Sequence, residues 1–154
     1  MSIQSRLELF IRHMTSNDLA AVMAIENEAQ TSPWGVSAFQ SSLMAQDVMP
    51  VAESAGKVVG FAVMKCASDQ AELLTLAVLA SCRRQGVAKH LLRFLSDEAK
   101  KRQVTAMFLE VRVSNEKAQS LYSGEGFYRI GLRKNYYPTP TGAREDALLY
   151  RKDL

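Results

Sequence analysis

The residues with the clearest chemical potential form the loop Arg83-Arg84-Gln85-Gly86-Val87-Ala88. This loop follows the apolar run 73–78 and opens an amphipathic segment over 87–102, which predicts a strand, a short glycine-containing loop and a helix. The first N–H groups of a helix have no partner within it and lie at its positive end, so they can bind phosphate. The spacing matches neither the Walker loop nor G-x-G-x-x-G, which disfavours a mononucleotide or dinucleotide ligand. An ordinary surface turn could also have these six residues.

A second candidate is Glu110, a carboxylate at the end of the apolar run 106–109. Loss of hydration there would raise the pKa of its carboxyl group and make it a better base near neutral pH. Arg112 lies two residues further along the same predicted strand, and therefore on the same face, where it could hold Glu110 in an ion pair. The residues by themselves favour the ion pair.

Hydrophobic periodicity places these residues in an α/β fold. Strands are predicted over 7–14, 48–53, 58–65, 72–78, 104–111, 127–134 and 147–152. Helices are predicted after the cluster 15–18, after a cap at Ser37, from Val87 and from Asn115, and Ala55-Gly56-Lys57 predicts a hairpin turn. The resulting order, βααβββαβαββ, is that of a three-layer α/β/α domain with a mixed central sheet. We expect one domain over residues 1–154.

Composition and charge narrow the classes of function. A net charge of +3 is modest and falls short of the clustered basic and interleaved aromatic residues of a nucleic-acid-binding surface. Much of the basic excess lies late in the chain, where we interpret it as solvated surface: Arg129, Arg133, Lys134, Arg144, Arg151 and Lys152. The N-terminal apolar run is too short and too charged for a signal peptide or a membrane span, which predicts a cytoplasmic protein with no membrane partner. No metal site or disulfide framework is expected from the only cysteines and histidines, Cys66, Cys82, His13 and His90.

The pattern Arg83-x-x-Gly86-x-Ala88 resembles the pyrophosphate loop of the Gcn5-related N-acetyltransferases, the GNAT superfamily. Further motifs extend the resemblance over essentially the whole chain and narrow it to the RimI-like ribosomal-protein-alanine N-acetyltransferases. These motifs are Pro33-Trp34, Leu109-Glu110-Val111-Arg112, Asn115, Leu121-Tyr122, Gly126-Phe127, Asn135-Tyr136-Tyr137-Pro138 and Arg144-Glu145-Asp146-Ala147.

The resemblance implies that acetyl coenzyme A is the co-substrate and that its acetyl group passes directly to an amine in a ternary complex. It implies that Glu110 is the general base and that Tyr122 is the general acid, which protonates the departing thiolate. A phenol with a pKa of about 10 keeps its proton at neutral pH. Ala118 lies one helical turn before Tyr122, so Tyr122 could also be a packed aromatic residue. Asn115 matches a cofactor contact and, equally well, a helix cap.

The remaining site residues also come from the resemblance. The cofactor would contact Leu76, Ala77, Val78, Arg83, Arg84, Gln85, Gly86, Val87, Ala88, Asn115 and Tyr122. A backbone N–H of Ala77 or Val78 would stabilise the oxyanion of the tetrahedral intermediate. The peptide would contact Trp34, Tyr136 and Tyr137, although aromatic residues in loops can equally be buried anchors.

The function implied is acetylation of the N-terminal alanine of a small-subunit ribosomal protein. Two alternatives stay open. A related enzyme could acetylate another peptide terminus, a lysine or a small amine, whereas a non-catalytic module could bind acyl coenzyme A or the ribosome. The presence of both Glu110 and Tyr122 argues against the second alternative, because a pure binding module needs no acid–base pair.

Overall fold

A computed structural model describes residues 7–154 of the chain. Over this range the elements follow the predicted order, βααβββαβαββ, with short 3₁₀ turns at Ser16–Asp18 and Ala80–Cys82. The helices are α1 (Leu19–Ala29), α2 (Val36–Met44), α3 (Val87–Lys101) and α4 (Glu116–Gly124). The strands are β1 (Phe10–His13), β2 (Pro50–Ser54), β3 (Lys57–Ala67), β4 (Gln70–Val78), β5 (Ala106–Arg112), β6 (Tyr128–Pro138) and β7 (Arg144–Asp153).

The strands form a mixed sheet in the order β1-β2-β3-β4-β5-β7-β6. β4 and β5 are parallel, whereas β1–β2, β2–β3, β5–β7 and β6–β7 are antiparallel pairs. The parallel ladder runs only from Gln70 opposite Ala106 to Glu72 opposite Phe108, although β4 continues to Val78. The predicted α/β class with a mixed central sheet is confirmed.

The chain divides into two compact units. The first contains the residues up to Val63 together with Thr75–Phe94, and the second contains Met64–Leu74 together with Leu95–Leu154. β3, β4 and α3 each contribute residues to both units along the chain. One domain over 1–154 stays a prediction, and residues 1–6 of that range lie outside the described residues.

The first unit has an aromatic and aliphatic core. Phe39 of α2 packs edge to face against Phe61 of β3, with 5.6 Å between ring centroids. Val22 and Ile25 of α1 are also buried. A further cluster contains Ala52, Val59, Val78, Val87 and Leu91, so the apolar stripe that predicted α3 is buried where the helix begins.

The second unit is built on the antiparallel pairing of β5 with β7, which runs from Ala106 opposite Asp153 to Arg112 opposite Ala147. Met107, Leu109 and Val111 point to one face of β5 and are buried. Phe108, Glu110 and Arg112 alternate with them and are only half-buried. The strand therefore buries one face well and keeps the face of Glu110 partly open.

Two local predictions are corrected. Gly35, in an extended conformation, is the N-cap of α2, and the predicted cap Ser37 lies inside the helix. The hairpin turn is Ala55-Gly56 alone, with φ of 51° and 76°, and Lys57 is already part of β3. Two consecutive residues with positive φ form the tight turn whose twist matches that of the flanking antiparallel strands.

Candidate functional site

The predicted phosphate loop lies in the first unit, between the 3₁₀ turn Ala80–Cys82 and α3. Arg84 and Gly86 have positive φ, of 63° and 84°. The Gly86 carbonyl oxygen accepts a hydrogen bond from the His90 N–H at 3.1 Å and lies 2.7 Å from His90 Nδ1. Within the described residues, the N–H groups of Arg84, Gln85 and Gly86 donate to no backbone carbonyl. These donors and the open first turn of a 15-residue helix have the chemistry that a diphosphate requires.

Leu76, Ala77 and Val78 are the last residues of β4 and lead into this loop. Ala77 and Val78 are buried. Two side chains of the same unit hold the carbonyl groups of this segment. Gln30 Nε2 donates to the Leu76 oxygen at 3.3 Å, and Arg83 Nε donates to the Val78 oxygen at 3.2 Å. The end of β4 is therefore fixed by side chains from the residue that follows α1 and from the loop.

Glu110 lies in a cavity of about 340 Å³ in the second unit, which we call the Glu110 cavity. Its lining residues come from the end of β3, the start of β4, and β5, β6 and β7. They include Glu72, Phe108, Glu110 and Arg133. The predicted strand position of Glu110 is confirmed, and the structure places a cavity beside its carboxylate.

Three groups surround the Glu110 carboxylate. Arg133 Nε lies 3.2 Å from Glu110 Oε1. The charge of Glu110, together with a hydrogen bond to it, raises the pKa of Tyr136. Burial, reinforced by the charge of Glu110, raises the pKa of Tyr137 to about 12. The Tyr136 and Tyr137 rings meet edge to face with centroids 4.9 Å apart. The structure thus brings three of the predicted site residues together.

The ion pair considered between Arg112 and Glu110 is not formed. Arg112 Nη1 donates instead to Glu145 Oε1 at 2.9 Å and to the Pro138 carbonyl at 2.9 Å. Its guanidinium also lies over the Tyr137 ring, 4.4 Å from the centroid. The cation that accompanies Glu110 is Arg133, which comes from a different strand. Arg112 therefore contacts Tyr137 and Pro138 of β6 instead of Glu110.

β6 contains a bulge at the motif 135–138, and the strand segment opposite this bulge carries the motif 144–147. Arg133 pairs with Ala147 and Tyr137 with Glu145, so β6 advances four residues while β7 advances two. Asn135 lies in this bulge with φ of 51°, a conformation that Asn tolerates better than most residues.

Side chains of the second motif hold that bulge in place. The Asn135 N–H donates to Asp146 Oδ1 at 2.9 Å. Arg144 donates to the carbonyl oxygens of Asn135 and Tyr136, both at 3.0 Å. The Ser114 N–H and Arg112 donate to the two oxygens of Glu145. A hydrogen bond from the Ser114 side chain, with those from Arg112 and the Ser114 N–H, lowers the pKa of that carboxyl group. The two motifs form one hydrogen-bonded structure.

Tyr122 is buried on α4, where its ring packs against Phe127 with centroids 5.6 Å apart. Burial raises the pKa of its phenol, so the group stays protonated across the neutral range. The interpretation of Tyr122 as a packed aromatic residue is confirmed, with Phe127 as its neighbour. Packing of the ring is compatible with proton donation by the hydroxyl group.

Asn115 caps α4: its Oδ1 accepts from the Ala118 N–H at 3.1 Å. The capping role considered from the sequence is therefore confirmed. A cofactor contact by the same residue stays a prediction.

Trp34 belongs to the first unit, unlike Tyr136 and Tyr137. Its half-buried ring packs against Phe39, with centroids 5.2 Å apart. Its backbone N–H donates to Glu26 Oε2 at 3.0 Å. The segment that carries Trp34 is thus anchored both by the core and by a carboxylate of α1.

Sequence reasoning missed Arg133, Glu72 and Glu26. Arg133 was grouped with the basic residues late in the chain and interpreted as solvated surface. Glu72 is the first residue of the predicted strand 72–78 and has no distinguishing spacing. Glu26 carried the one usable signal, because it lies four residues after Val22 and so falls on the apolar face of α1.

The chain belongs to the acetyltransferase (GNAT) family. The model of that family matches residues 19–127 of this chain. GNAT acetyltransferases use acetyl coenzyme A, and the family predicted from the motifs is confirmed. Among curated proteins the chain is similar to the [ribosomal protein bS18]-alanine N-acetyltransferase of Escherichia coli K12. The two are 38% identical over 139 residues, which are 90% of this chain and 93% of the relative.

Two more comparisons agree. The Haemophilus ducreyi protein of the same name is 34% identical over 139 residues, 90% of this chain and 96% of that protein. The crystal structure of the ribosomal-protein-S18-alanine N-acetyltransferase from Escherichia coli aligns with a TM-score of 0.88 and 36% identity, covering 95% of this chain and 94% of that chain. This chain is therefore an N-acetyltransferase by family.

Residues 7–154 contain no cluster of three or more His, Cys, Asp or Glu side chains that could hold a metal ion. Over the same range, no helix has the length and apolar character needed to cross a membrane. Cys66 and Cys82 are not joined in a disulfide.

Proposed function

We propose that this protein transfers the acetyl group of acetyl coenzyme A to the N-terminal alanine of a small-subunit ribosomal protein. The observation that carries the proposal is the 38% identity to the bS18-modifying enzyme of Escherichia coli, which extends over 90% of this chain. Residues 1–154 would form one catalytic domain, since the family match includes residues of both compact units. A ribosomal substrate places the reaction in the cytoplasm.

Glu110 is the proposed general base. An α-amine has a pKa of about 7.7–8.0 and is largely protonated at neutral pH, so it must lose a proton before it attacks a thioester. The carboxylate of Glu110 faces a cavity large enough for a peptide terminus. A hydrogen bond from Tyr136 orients it, and the exposed Arg133 forms a weak ion pair with it. Glu110 would therefore accept that proton and leave a neutral amine, whose lone pair then attacks the thioester carbon.

Tyr122 is the proposed general acid. Cleavage of the thioester C–S bond leaves a thiolate, which Tyr122 would protonate. The support for this role is the match of Tyr122 to the family motif, together with a buried phenol that is protonated at the start of the reaction. No acyl-enzyme is required, since amine and thioester react directly.

Acetyl coenzyme A would supply the activated acetyl group, and this chain offers suitable donors for its diphosphate. The N–H groups of Arg84, Gln85, Gly86, Val87 and Ala88 and the charges of Arg83 and Arg84 suit that anion. We assign Leu76, Ala77 and Val78 to the acyl and pantetheine end, with a backbone N–H of Ala77 or Val78 stabilising the oxyanion. Asn115 would contribute through its amide nitrogen, because its oxygen caps α4.

Trp34, Tyr136 and Tyr137 are the proposed contacts of the acceptor peptide. The support for the two tyrosines is their place beside Glu110. For Trp34 it is a half-buried ring on a segment that is fixed both by packing against Phe39 and by the hydrogen bond to Glu26.

Two synthetic peptides test the proposal. One has a free N-terminal alanine and no lysine, and the other has a blocked N-terminus and one lysine. After incubation with acetyl coenzyme A, mass spectrometry should find one added acetyl group on the first peptide only. Modification of the lysine alone would favour a different acceptor class, and modification of neither would favour a small-amine substrate or a non-catalytic binding module.

A further inference from the structure

Glu26 is a buried acid that the proposed chemistry does not use. It lies on α1, and only 1% of its surface is exposed. Burying a carboxylate is unfavourable unless its oxygens are well hydrogen-bonded, and an apolar side chain would fill this position at less cost. The burial of Glu26 therefore indicates that its carboxylate has a specific role.

The two carboxylate oxygens of Glu26 have different partners. Oε2 accepts from the backbone N–H of Trp34 at 3.0 Å, and Oε1 accepts from the Thr75 hydroxyl at 2.9 Å. All three residues belong to the first compact unit. Glu26 therefore connects the segment between α1 and α2 to β4.

Gln30, the C-cap residue of α1, strengthens the same connection. Its Nε2 donates to Thr75 Oγ1 and to the Leu76 carbonyl oxygen, each at 3.3 Å. Because Gln30 holds β4 independently, the contact that Glu26 alone provides is the one to the Trp34 backbone. Loss of Glu26 should affect Trp34 more than Leu76.

We propose that Glu26 is a positioning residue for the acceptor peptide: its carboxylate fixes the Trp34 backbone and so sets the affinity for the peptide. The inference rests on the proposed function in assigning Trp34 to the peptide. We therefore expect the length of the Glu26 side chain, rather than its charge, to determine the affinity for the peptide. The Trp34 N–H needs an acceptor oxygen at that distance, and a neutral oxygen will serve.

Two substitutions separate the effect of side-chain length from the effect of charge. Glu26→Gln keeps the length and removes the charge; its amide oxygen can accept from Trp34 while its NH₂ donates to the Thr75 hydroxyl, which can also act as an acceptor. Glu26→Asp keeps the charge and shortens the side chain by one methylene group, so it cannot reach both partners. Thr75→Val is the matched control, because it removes the other hydrogen bond of Glu26 and leaves the one to Trp34.

We expect Glu26→Asp to raise the KM for the peptide about tenfold, the effect of losing one well-formed hydrogen bond. The kcat and the KM for acetyl coenzyme A should stay at the wild-type values. Glu26→Gln and Thr75→Val should resemble wild type in all three constants. Equal impairment of Glu26→Gln, or of Thr75→Val, would overturn the proposal.

A second readout does not depend on any substrate. Trp34 is the only tryptophan of the chain, so intrinsic tryptophan fluorescence reports on this residue alone. Glu26→Asp should shift its emission to longer wavelength and increase its quenching by acrylamide, whereas Glu26→Gln and Thr75→Val should not. Unchanged fluorescence in Glu26→Asp would refute the positioning of Trp34 whatever the enzyme acetylates. A shifted emission with an unchanged peptide KM would instead refute the link to the peptide.

Discussion

Arg133 and Glu110 form an ion pair in the Glu110 cavity, in which the carboxylate is mostly covered and the cation is mostly in water. Arg133 Nε lies 3.2 Å from Glu110 Oε1, and the two side chains are 56% and 20% exposed. The guanidinium also lies 5.3 Å from the centre of the Tyr136 ring. Ion pairs with so exposed a partner contribute only ~0–1 kcal/mol. Glu110 therefore stays available to a stronger cationic partner, such as the protonated amine of an acceptor peptide.

Replacing Arg133 should make the peptide bind better. Arg133→Gln removes the cation that competes with the peptide amine for Glu110, so the KM for the peptide should fall ~1.5–5-fold at low ionic strength. The difference should shrink at high ionic strength, where salt already screens the wild-type pair. Steady-state kinetics at two salt concentrations measure this. Lys101→Gln, which breaks an exposed pair with Glu98 on α3, is the control; a rise in KM for Arg133→Gln would contradict the competition.

Removing the carboxylate of Glu110 should reduce turnover without affecting cofactor binding. Glu110→Gln keeps the size of the side chain and abolishes its basicity, so kcat should fall ~10²–10⁴-fold. Isothermal titration calorimetry should give wild-type affinity for coenzyme A. Glu72→Gln is the matched control, since Glu72 lines the same cavity, and it should keep near-normal kcat. The role of Glu110 fails if the two variants lose the same amount of activity.

The phenol of Tyr122 should matter for chemistry and not for folding. Tyr122→Phe preserves the ring that packs against Phe127 and removes only the proton donor. We expect kcat to fall ~10²-fold or more, with the melting temperature close to wild type. Tyr128→Phe, which loses an exposed hydrogen bond to Asp153, should leave kcat intact. Wild-type turnover in Tyr122→Phe would mean that the tyrosine only packs.

The backbone at Gly86 gives a test of the phosphate loop. Gly86 and Gly142 have the same φ, 84°, and neither has a neighbour close enough to exclude a methyl group. Gly86→Ala and Gly142→Ala should therefore destabilise the fold similarly, by ~1–2 kcal/mol at most. Only Gly86→Ala should weaken coenzyme A binding, about tenfold or more, because its loop can no longer direct its N–H groups. Equal affinities of the two variants in calorimetry would exclude the loop as the diphosphate site.

Asp18 gives a pH-dependent contribution to stability. Arg12 forms two 2.8 Å hydrogen bonds to this carboxylate, which lower its pKa in the folded state. A carboxyl group whose pKa is lowered by folding stabilises the protein above its unfolded pKa, about 3.9, and loses this contribution as the pH falls further. Asp18→Asn should lower the free energy of unfolding by ~1–3 kcal/mol at pH 7.

Urea denaturation at several pH values checks this expectation. The difference between wild type and Asp18→Asn should shrink steadily below the unfolded pKa. Asp153→Asn is the control: its pKa is also lowered, by Arg151, but its side chain is 61% exposed and should contribute nothing measurable. A destabilisation of Asp18→Asn that is the same at acidic and neutral pH would indicate lost packing instead.

The element order could be predicted because it depends on local patterns. The apolar spacing in α3 and the Asn115 cap both refer to neighbours within one turn of helix, and both were identified correctly. Ser37 was a wrong choice of cap because Gly35 can also begin a helix, and side-chain preference alone does not distinguish them.

The surroundings of Glu110 could not be predicted in this way. Arg112 was the natural partner on local grounds, since it follows Glu110 by two residues on one strand. The register of β5 against β7 places Arg112 opposite Ala147. At this position the Arg112 guanidinium forms an ion pair with Glu145, which lies two residues before Ala147 on β7. Arg133 reaches Glu110 from another strand. Both pairings depend on strand order and register, which apolar periodicity does not encode.

The bulge at Asn135 divides the segment 133–147 into a part that cannot change length and a part that can. A one-residue deletion on either side of Asn135 would change the orientation of Arg133 relative to Tyr136, because side chains alternate along a strand. The following loop is closed by its own hydrogen bond, from the Thr139 N–H to the Ala143 carbonyl at 3.1 Å, and an insertion there leaves the strand register untouched. A chimaera with a relative of different acceptor preference must therefore exchange residues 133–138 and 144–147 together, while the five residues between them can come from either parent.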